Sequence, residues 1–451
     1  MSSNRLRRLV GLAVTVILIL AMFAACGPAA PAPGQADPTP APVGDGNEVK
    51  VGFIWPLTGG AASIGQQHDD GARMAIERIN AAGGIQSLGG AMMVPVVADT
   101  ETSPDVGSAQ VERLITVEDV VMVVGGYNSG VIFPASAVAQ RHGIPFLSMG
   151  GVRDAITERG YEWIFRINNT ATFDIREMIH GLELIEEQFG LSVETYALVW
   201  ESTDWGADQA RIWNEFAAER GWVNVLDESV PAGQVDMSSL MMRLLAADPC
   251  VINVSLYTPE QIVFTRATYA HQVNPRLGIW SVGGGTQDPA FFDAVQPWEY
   301  EYLFVQEDWN VTMPFAFDWS AELAAEVQER FGYPLNSFFA QGWTAAKVAA
   351  EVLERAGATD PESIRLALVD FEVELGSPIN LTGYPRIVFG PDGQNPYSTG
   401  TIIQYVDGRQ VALYPRRFQV PGHYVVVPIP DNFGERGRNS APWGTVAGQD
   451  D

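Results

Sequence analysis

The sequence predicts an α/β protein of two doubly wound lobes, each a parallel sheet covered by helices on both faces. Three observations carry this. From Val49 onward, short apolar runs alternate with stretches of helical period. Strand–helix alternation of this kind makes parallel sheets buried on both sides. The predicted strands number too many for one small doubly wound domain, and 451 residues with 47% hydrophobic content are enough for two cores.

The strands are predicted at Val49–Trp55, Met93–Ala98, Val120–Gly125, Ile144–Met149, Thr195–Trp200, Val223–Ser229, Cys250–Leu256, Leu277–Val282 and Tyr302–Gln306. Amphipathic helices are read from Ala72, Ala75, Ile76 and Ile79, from Val111, Leu114 and Ile115, from Ile175, Met178, Ile179, Leu182 and Ile185, and from Ile212, Trp213 and Phe216. These sets follow i, i+3, i+4, i+7 spacing. A new helix beginning near Thr170–Thr172 marks a first crossing between lobes. Helices at about 317–331, 338–356 and from Pro361 follow. Ile402–Val406 and Val411–Tyr414 flank Asp407-Gly408, which supplies the positive φ of a hairpin turn.

The N-terminus reads as an export signal. Arg5, Arg7 and Arg8 precede an apolar run from Leu9 to Ala25, and small residues lead into Cys26. Residues 1–26 are therefore expected to be a lipoprotein signal with Cys26 lipidated; an uncleaved anchor helix is the alternative. Residues 27–47, rich in Pro and Ala, read as a tether. Both readings put the remaining chain on the outer face of the bacterial cytoplasmic membrane.

The formal net charge is −27, with only two lysines, Lys50 and Lys347. That field argues against nucleic acid, whose binding needs basic side chains on phosphates. Two cysteines support neither a disulfide framework nor a four-ligand zinc site, and Cys250 reads as a core thiol. No G-x-S-x-G elbow, H-E-x-x-H or Walker A loop is present. The histidines His68, His142, His180, His271 and His423 share no ligand spacing. Acid pairs such as Asp69-Asp70 and Glu186-Glu187 read as solvated helix surface, and Gly283-Gly284-Gly285 as a flexible loop. No enzyme, cofactor or metal is expected.

Binding is the reading with more behind it. Strand Val120–Gly125 delivers Tyr127, Asn128 and Ser129 to its carboxyl end, where ligands of open α/β sheets sit. Ser129 at a helix N-terminus suits an anion or carbonyl oxygen; a plain N-cap is the alternative. The next strand ends in Ser148-Met149-Gly150-Gly151, where bare backbone can approach a ligand. Trp205 and Tyr257 follow two later strands and form either a ligand wall or interlobe packing.

Four stretches carry a resemblance. They are Val51 to Gly59 with its PLTG piece, Gly71 to Ile85 with INAAGGI, Gly143 to Ser148, and Ile156 to Tyr161. The sequence resembles type 1 periplasmic solute-binding proteins of the Leu/Ile/Val-binding ABC transporter family from Val49 to Tyr414. The resemblance implies two lobes joined by a three-strand hinge and closing on a small-molecule ligand, with delivery to an ABC permease. Its lobes map to 48–169 with 307–378 and to 170–306 with 379–427, leaving 428–451 as a tail. It places Ser129 on a ligand carboxylate, Gly150 as a backbone contact, and Trp205, Tyr257 and Ile64 in the walls. The family's Thr falls at Val152 and its ammonium-binding acid near Gly283. Either Glu201, Asp204, Glu260 or Asp308 moves in, or the ligand is an amide, a urea-like solute or a carboxylate, with Arg153 serving a carboxylate. A sensor ectodomain of the same fold is the alternative to transport, and an extracellular hydrolase a weaker one.

Overall fold

The computed structural model describes residues 47–307, 318–414 and 425–429. Cys26 and Asp308 lie outside the described residues, as do the signal, nearly all of the tether and most of the tail. The chain divides after Gly46, and every described residue belongs to the second unit.

Among the described residues, a five-stranded sheet comprises β1 (Glu48–Trp55), β2 (Met92–Asp99), β3 (Val123–Gly125), β4 (Phe146–Ser148) and β5 (Ile164–Arg166). Its order is β2-β1-β3-β4-β5, all parallel. Helices α1 (Ala62–Ala81), α2 (Pro104–Thr116) and α3 (Ser129–His142) make the crossovers. The second lobe contains α4 (Ala171–Phe189), β6 (Thr195–Glu201), α5 (Asp204–Glu219), β7 (Val223–Val230), α6 (Ser238–Ala247), β8 (Val251–Ser255), α7 (Thr258–His271), β9 (Ile279–Val282), α8 (Pro289–Ala294) and β10 (Phe304–Glu307).

The chain then rejoins the first core through α9 (Asp318–Phe331), α10 (Ser337–Ala356) and α11 (Pro361–Val369), followed by a small antiparallel pair, β11 (Glu372–Glu374) and β12 (Arg386–Val388). β13 (Thr401–Val406) and β14 (Arg409–Tyr414) complete a seven-stranded sheet of order β14-β13-β10-β9-β8-β6-β7. β13 runs antiparallel to β10, and the hairpin turns at Asp407-Gly408 as predicted. A hairpin partner needs no crossover helix, so this edge alone departs from parallel pairing.

Two boundaries differ from the expected ones. Leu381, Tyr384, Ile387 and Phe389 stay in the first core, so the chain recrosses at 393–398 rather than at 379. Their spacing follows no helix or strand period, which hid the packing. Ile429 is buried in the second core, although the tail was expected from 428. β5 and β11 are three-residue strands, too short for a period-2 signal.

Two crossings lie side by side. Arg166 N donates to Gly393 O at 2.8 Å and Asn395 N donates to Arg166 O at 2.9 Å. Asn395 Nδ2 also donates to Ile167 O at 3.1 Å. The crossing expected at 306–307 leads into residues 308–317, which lie outside the described residues.

Helices α1 and α10 touch backbone to backbone. A Cβ on Gly342 would lie 2.0 Å from His68 O, and one on Gly71 would lie 2.2 Å from Phe339 O. Helix propensity alone would make Gly342→Ala stabilising by about 1 kcal/mol. The clash is with backbone and outweighs it, so we expect a net loss of roughly 2 kcal/mol or more, read as an earlier urea midpoint. A later midpoint would refute the backbone contact.

Candidate functional site

The carboxyl ends of the parallel strands in both lobes face one cleft, which encloses a cavity of about 50 Å³. That is room for roughly four waters at the ~10–15 Å³ each requires. From the first lobe, the segments after β3 and β4 bring Tyr127, Ser129, Gly150, Gly151 and Val152. The N-terminal turn of α10 adds Phe338 and Gln341. From the second lobe come Trp205, Tyr257, Gly283, Gln287 and Gln306, and the crossing into α4 adds Asn168, Asn169 and Asp174.

Aromatic rings form the apolar walls across both lobes. Trp205 stacks on Tyr257, centroids 4.8 Å apart and 15° between planes. Tyr257 lies 6.0 Å from Tyr127, whose ring meets Phe338 edge-on at 5.9 Å. Such geometries are favourable beyond their buried area. Behind this wall His68 stacks on Trp55 at 5.0 Å and hydrogen-bonds Gln341 Oε1 at 2.8 Å. Burial lowers its pKa to about 4, leaving a neutral imidazole. Gly284 sits at φ +27°, and a Cβ there would fall 2.6 Å from the Tyr127 hydroxyl. A side chain at 284 would push that ring out of the wall.

Among the described residues, the polar lining has one carboxylate, Asp174, 3% exposed, and no Lys, Arg or His side chain. Asn169 Nδ2 donates to Asp174 Oδ1. Asp174 lies in the first turn of α4, where the helix dipole favours an anion. Arg166 supports the Gly151–Arg153 segment from within the protein. It is fully buried and donates from Nη1 to Gly151 O at 2.8 Å and to Arg153 O at 2.7 Å. Burial lowers its pKa to about 10, which still leaves it charged near neutrality.

The structure gathers Tyr127, Ser129, Gly150, Gly151, Trp205 and Tyr257 at the cavity. Ser129 is the first helical residue of α3 and not its N-cap, which is Asn128; the Ser129 hydroxyl accepts from Arg153 N at 3.2 Å. Asn128 is 5% exposed and lies outside the lining. Ile64 is 1% exposed on α1 and does not line the cavity, whereas Phe338 does.

The four charged candidates among the described residues are engaged elsewhere. Arg153 Nη1 donates to Asp204 Oδ2 at 2.8 Å across the lobes, an exposed pair worth about 0–1 kcal/mol. Glu201 Oε2 accepts from Tyr257 N at 2.8 Å, so it positions the wall tyrosine from behind. Glu260 Oε1 accepts from Gly233 N at 2.6 Å. The acid that does reach the cavity, Asp174, carried only the signal of a first-turn helix acid, which reads as ordinary dipole complementation. Gln341 left a clearer trace: it is a polar residue inside a helix buried on every face.

A family model described as "Periplasmic binding protein" matches residues 48–409. The Leu/Ile/Val-binding protein homolog 7 of Brucella melitensis is 29% identical over 381 residues, covering 82% of this chain and 92% of that protein. Among solved structures, the branched-chain amino acid transporter substrate binding protein LivJ of Streptococcus pneumoniae, in complex with isoleucine, superposes with TM-score 0.69 at 19% identity. It covers 81% of this chain and 98% of its own. A solute binding protein of an ABC transporter from R. palustris, in complex with benzoate, gives 0.69 at 16%, covering 84% and 99%. Both superpositions show a shared fold.

Two buried groups beside the cleft titrate in opposite senses. His68 is lowered from 6.5 to about 4 by burial, so its contribution to stability grows as pH rises through that window. Glu201 is raised from 4.5 to about 7, chiefly by burial, so stability is lost as pH rises from 4.5 to 7. At ~1.4 kcal/mol per pH unit each amounts to roughly 3 kcal/mol, and the two nearly cancel between pH 4.5 and 6.5. Glu201→Gln minus wild type should therefore rise from near zero below pH 4.5 to roughly 3 kcal/mol above pH 7 in denaturant titrations. A pH-independent difference would refute the assignment.

Proposed function

Because the chain belongs to the periplasmic binding protein family, whose members are solute-binding proteins and not enzymes, we propose that it captures a small amino acid or amide between its lobes for an ABC importer. The observation carrying this is the buried Asp174 carboxylate in a cavity whose lining, among the described residues, has no basic side chain. A carboxylate at the lining suits an ammonium or amide N–H beside the Asn169 Nδ2 that it already accepts from. Elsewhere in the lining, Ser129 and the N-terminus of α3 suit a carboxylate or carbonyl oxygen. Trp205, Tyr257, Tyr127 and Phe338 would enclose the apolar part.

This reading moves the ligand's counter-charge from the earlier candidates to Asp174, and it disfavours a simple carboxylate such as benzoate. In it, Cys26 carries lipid, residues 27–47 tether the lobes at the outer membrane face, and the closed form docks on the permease. Among the described residues no helix is long and apolar enough to cross a membrane, and no group of His, Cys, Asp and Glu is arranged to hold a metal.

Calorimetry with neutral amino acids, small amides, urea and benzoate tests the reading. An amino acid or amide should bind, and Asp174→Asn should weaken it by about 100-fold, in line with ~3 kcal/mol for an unmade buried charged hydrogen bond. Trp205→Ala and Tyr257→Ala should each cost about tenfold or more with the fold retained. Tightest binding by benzoate, undisturbed in Asp174→Asn, would refute it.

A further inference from the structure

Asp288 lies outside the cavity lining, on the second lobe, and is fully buried. It caps α8, accepting from Ala290 N at 3.1 Å, and its Oδ2 accepts from Thr258 Oγ1 at 2.9 Å within the same lobe. Its other contacts cross the cleft. Ser63 Oγ donates to Asp288 Oδ1 at 2.7 Å and Gln67 Nε2 donates to the same oxygen at 3.2 Å. Both donors sit on α1 of the first lobe. The neighbouring residue repeats the crossing, with Ser337 Oγ on α10 donating to Gln287 Oε1 at 2.8 Å.

We propose that Asp288, gripped by Ser63 and Gln67, is a closure latch that sets ligand affinity without touching ligand. The reasoning is a difference between two states. Apart, the lobes leave the carboxylate to water. Together, they shut water out, and the carboxylate keeps its full set of donors only because α1 supplies two. A buried acceptor stripped of donors is penalised far more than one left in water. The α1 donors thus bias the open–closed equilibrium toward closed, and apparent affinity scales with the closed population. The exposed Arg153–Asp204 pair spans the same lobes but faces solvent on both sides, so it contributes little to this bias.

The latch's effect on affinity rests on the capture reading above; its effect on closure does not. The test leaves Asp288 intact, since it also caps a helix. It uses Ser63→Ala with Gln67→Met, and Ser63→Thr as the conservative rescue. Pulsed electron-spin distances between labels introduced as unnatural amino acids at exposed Val117 and Met242, one per lobe, report closure without ligand. In the double variant the closed-to-open ratio should fall about tenfold, with the melting temperature unchanged. Any solute that binds should dissociate about tenfold faster at unchanged association rate, and Ser63→Thr should behave as wild type. An unchanged ligand-free distance distribution in the double variant overturns the latch, whatever binds. A fall in closure that Ser63→Thr does not share supports it, even where every tested solute fails to bind.

Discussion

Parallel strands cannot be joined by tight turns; each needs a crossover that returns the chain to the same edge. Most of what matters in this molecule descends from that constraint. It sends each helix out from the carboxyl end of a strand, so loops and helix N-termini collect on one side of each sheet. Two such sheets, facing each other across paired crossings near Arg166 and Gln394, bring both collections to one cleft. Ser129, Gly150, Trp205 and Tyr257 are distant in sequence and meet there because each follows a parallel strand.

The second consequence is electrostatic. A cleft closed between lobes buries polar groups from both, and each needs a partner. Arg166 satisfies the carbonyls of the Gly151–Arg153 loop, Glu201 takes the Tyr257 N–H, and Asp288 takes donors from three elements. These groups shape the cavity from behind and leave its lining, among the described residues, with a single carboxylate. The described lining combines aromatic walls with one buried carboxylate, which Asn169 Nδ2 already meets.

Most of the architecture was legible in the chain. The alternation from Val49 to Gln306, the hairpin at Asp407-Gly408 and the two-lobe division all follow from local periodicity, and the observed strands agree within a few residues. Of the site, the strand-end residues Tyr127, Ser129, Gly150, Gly151, Trp205 and Tyr257 were legible because topology alone places them. Ile64, Asn128 and the acids Glu201, Asp204 and Glu260 do not line the cavity. Their roles depend on which way a side chain points once two lobes meet, and local pattern carries no such information.

The amino-acid order by itself determined the elements, the parallel pairing and the end of each sheet at which the cleft lies, since hydrophobic period and crossover geometry are local properties. Only tertiary structure decided which carboxylate faces the cavity. Asp174 and Asp288 each read locally as ordinary helix-terminal acids, Asp174 in a first turn and Asp288 at an N-cap. One is turned toward a shared cavity and the other toward α1 by packing between segments more than a hundred residues apart in the chain. Burial, and therefore the energetic weight of a charge, is a property of that packing and not of the residue.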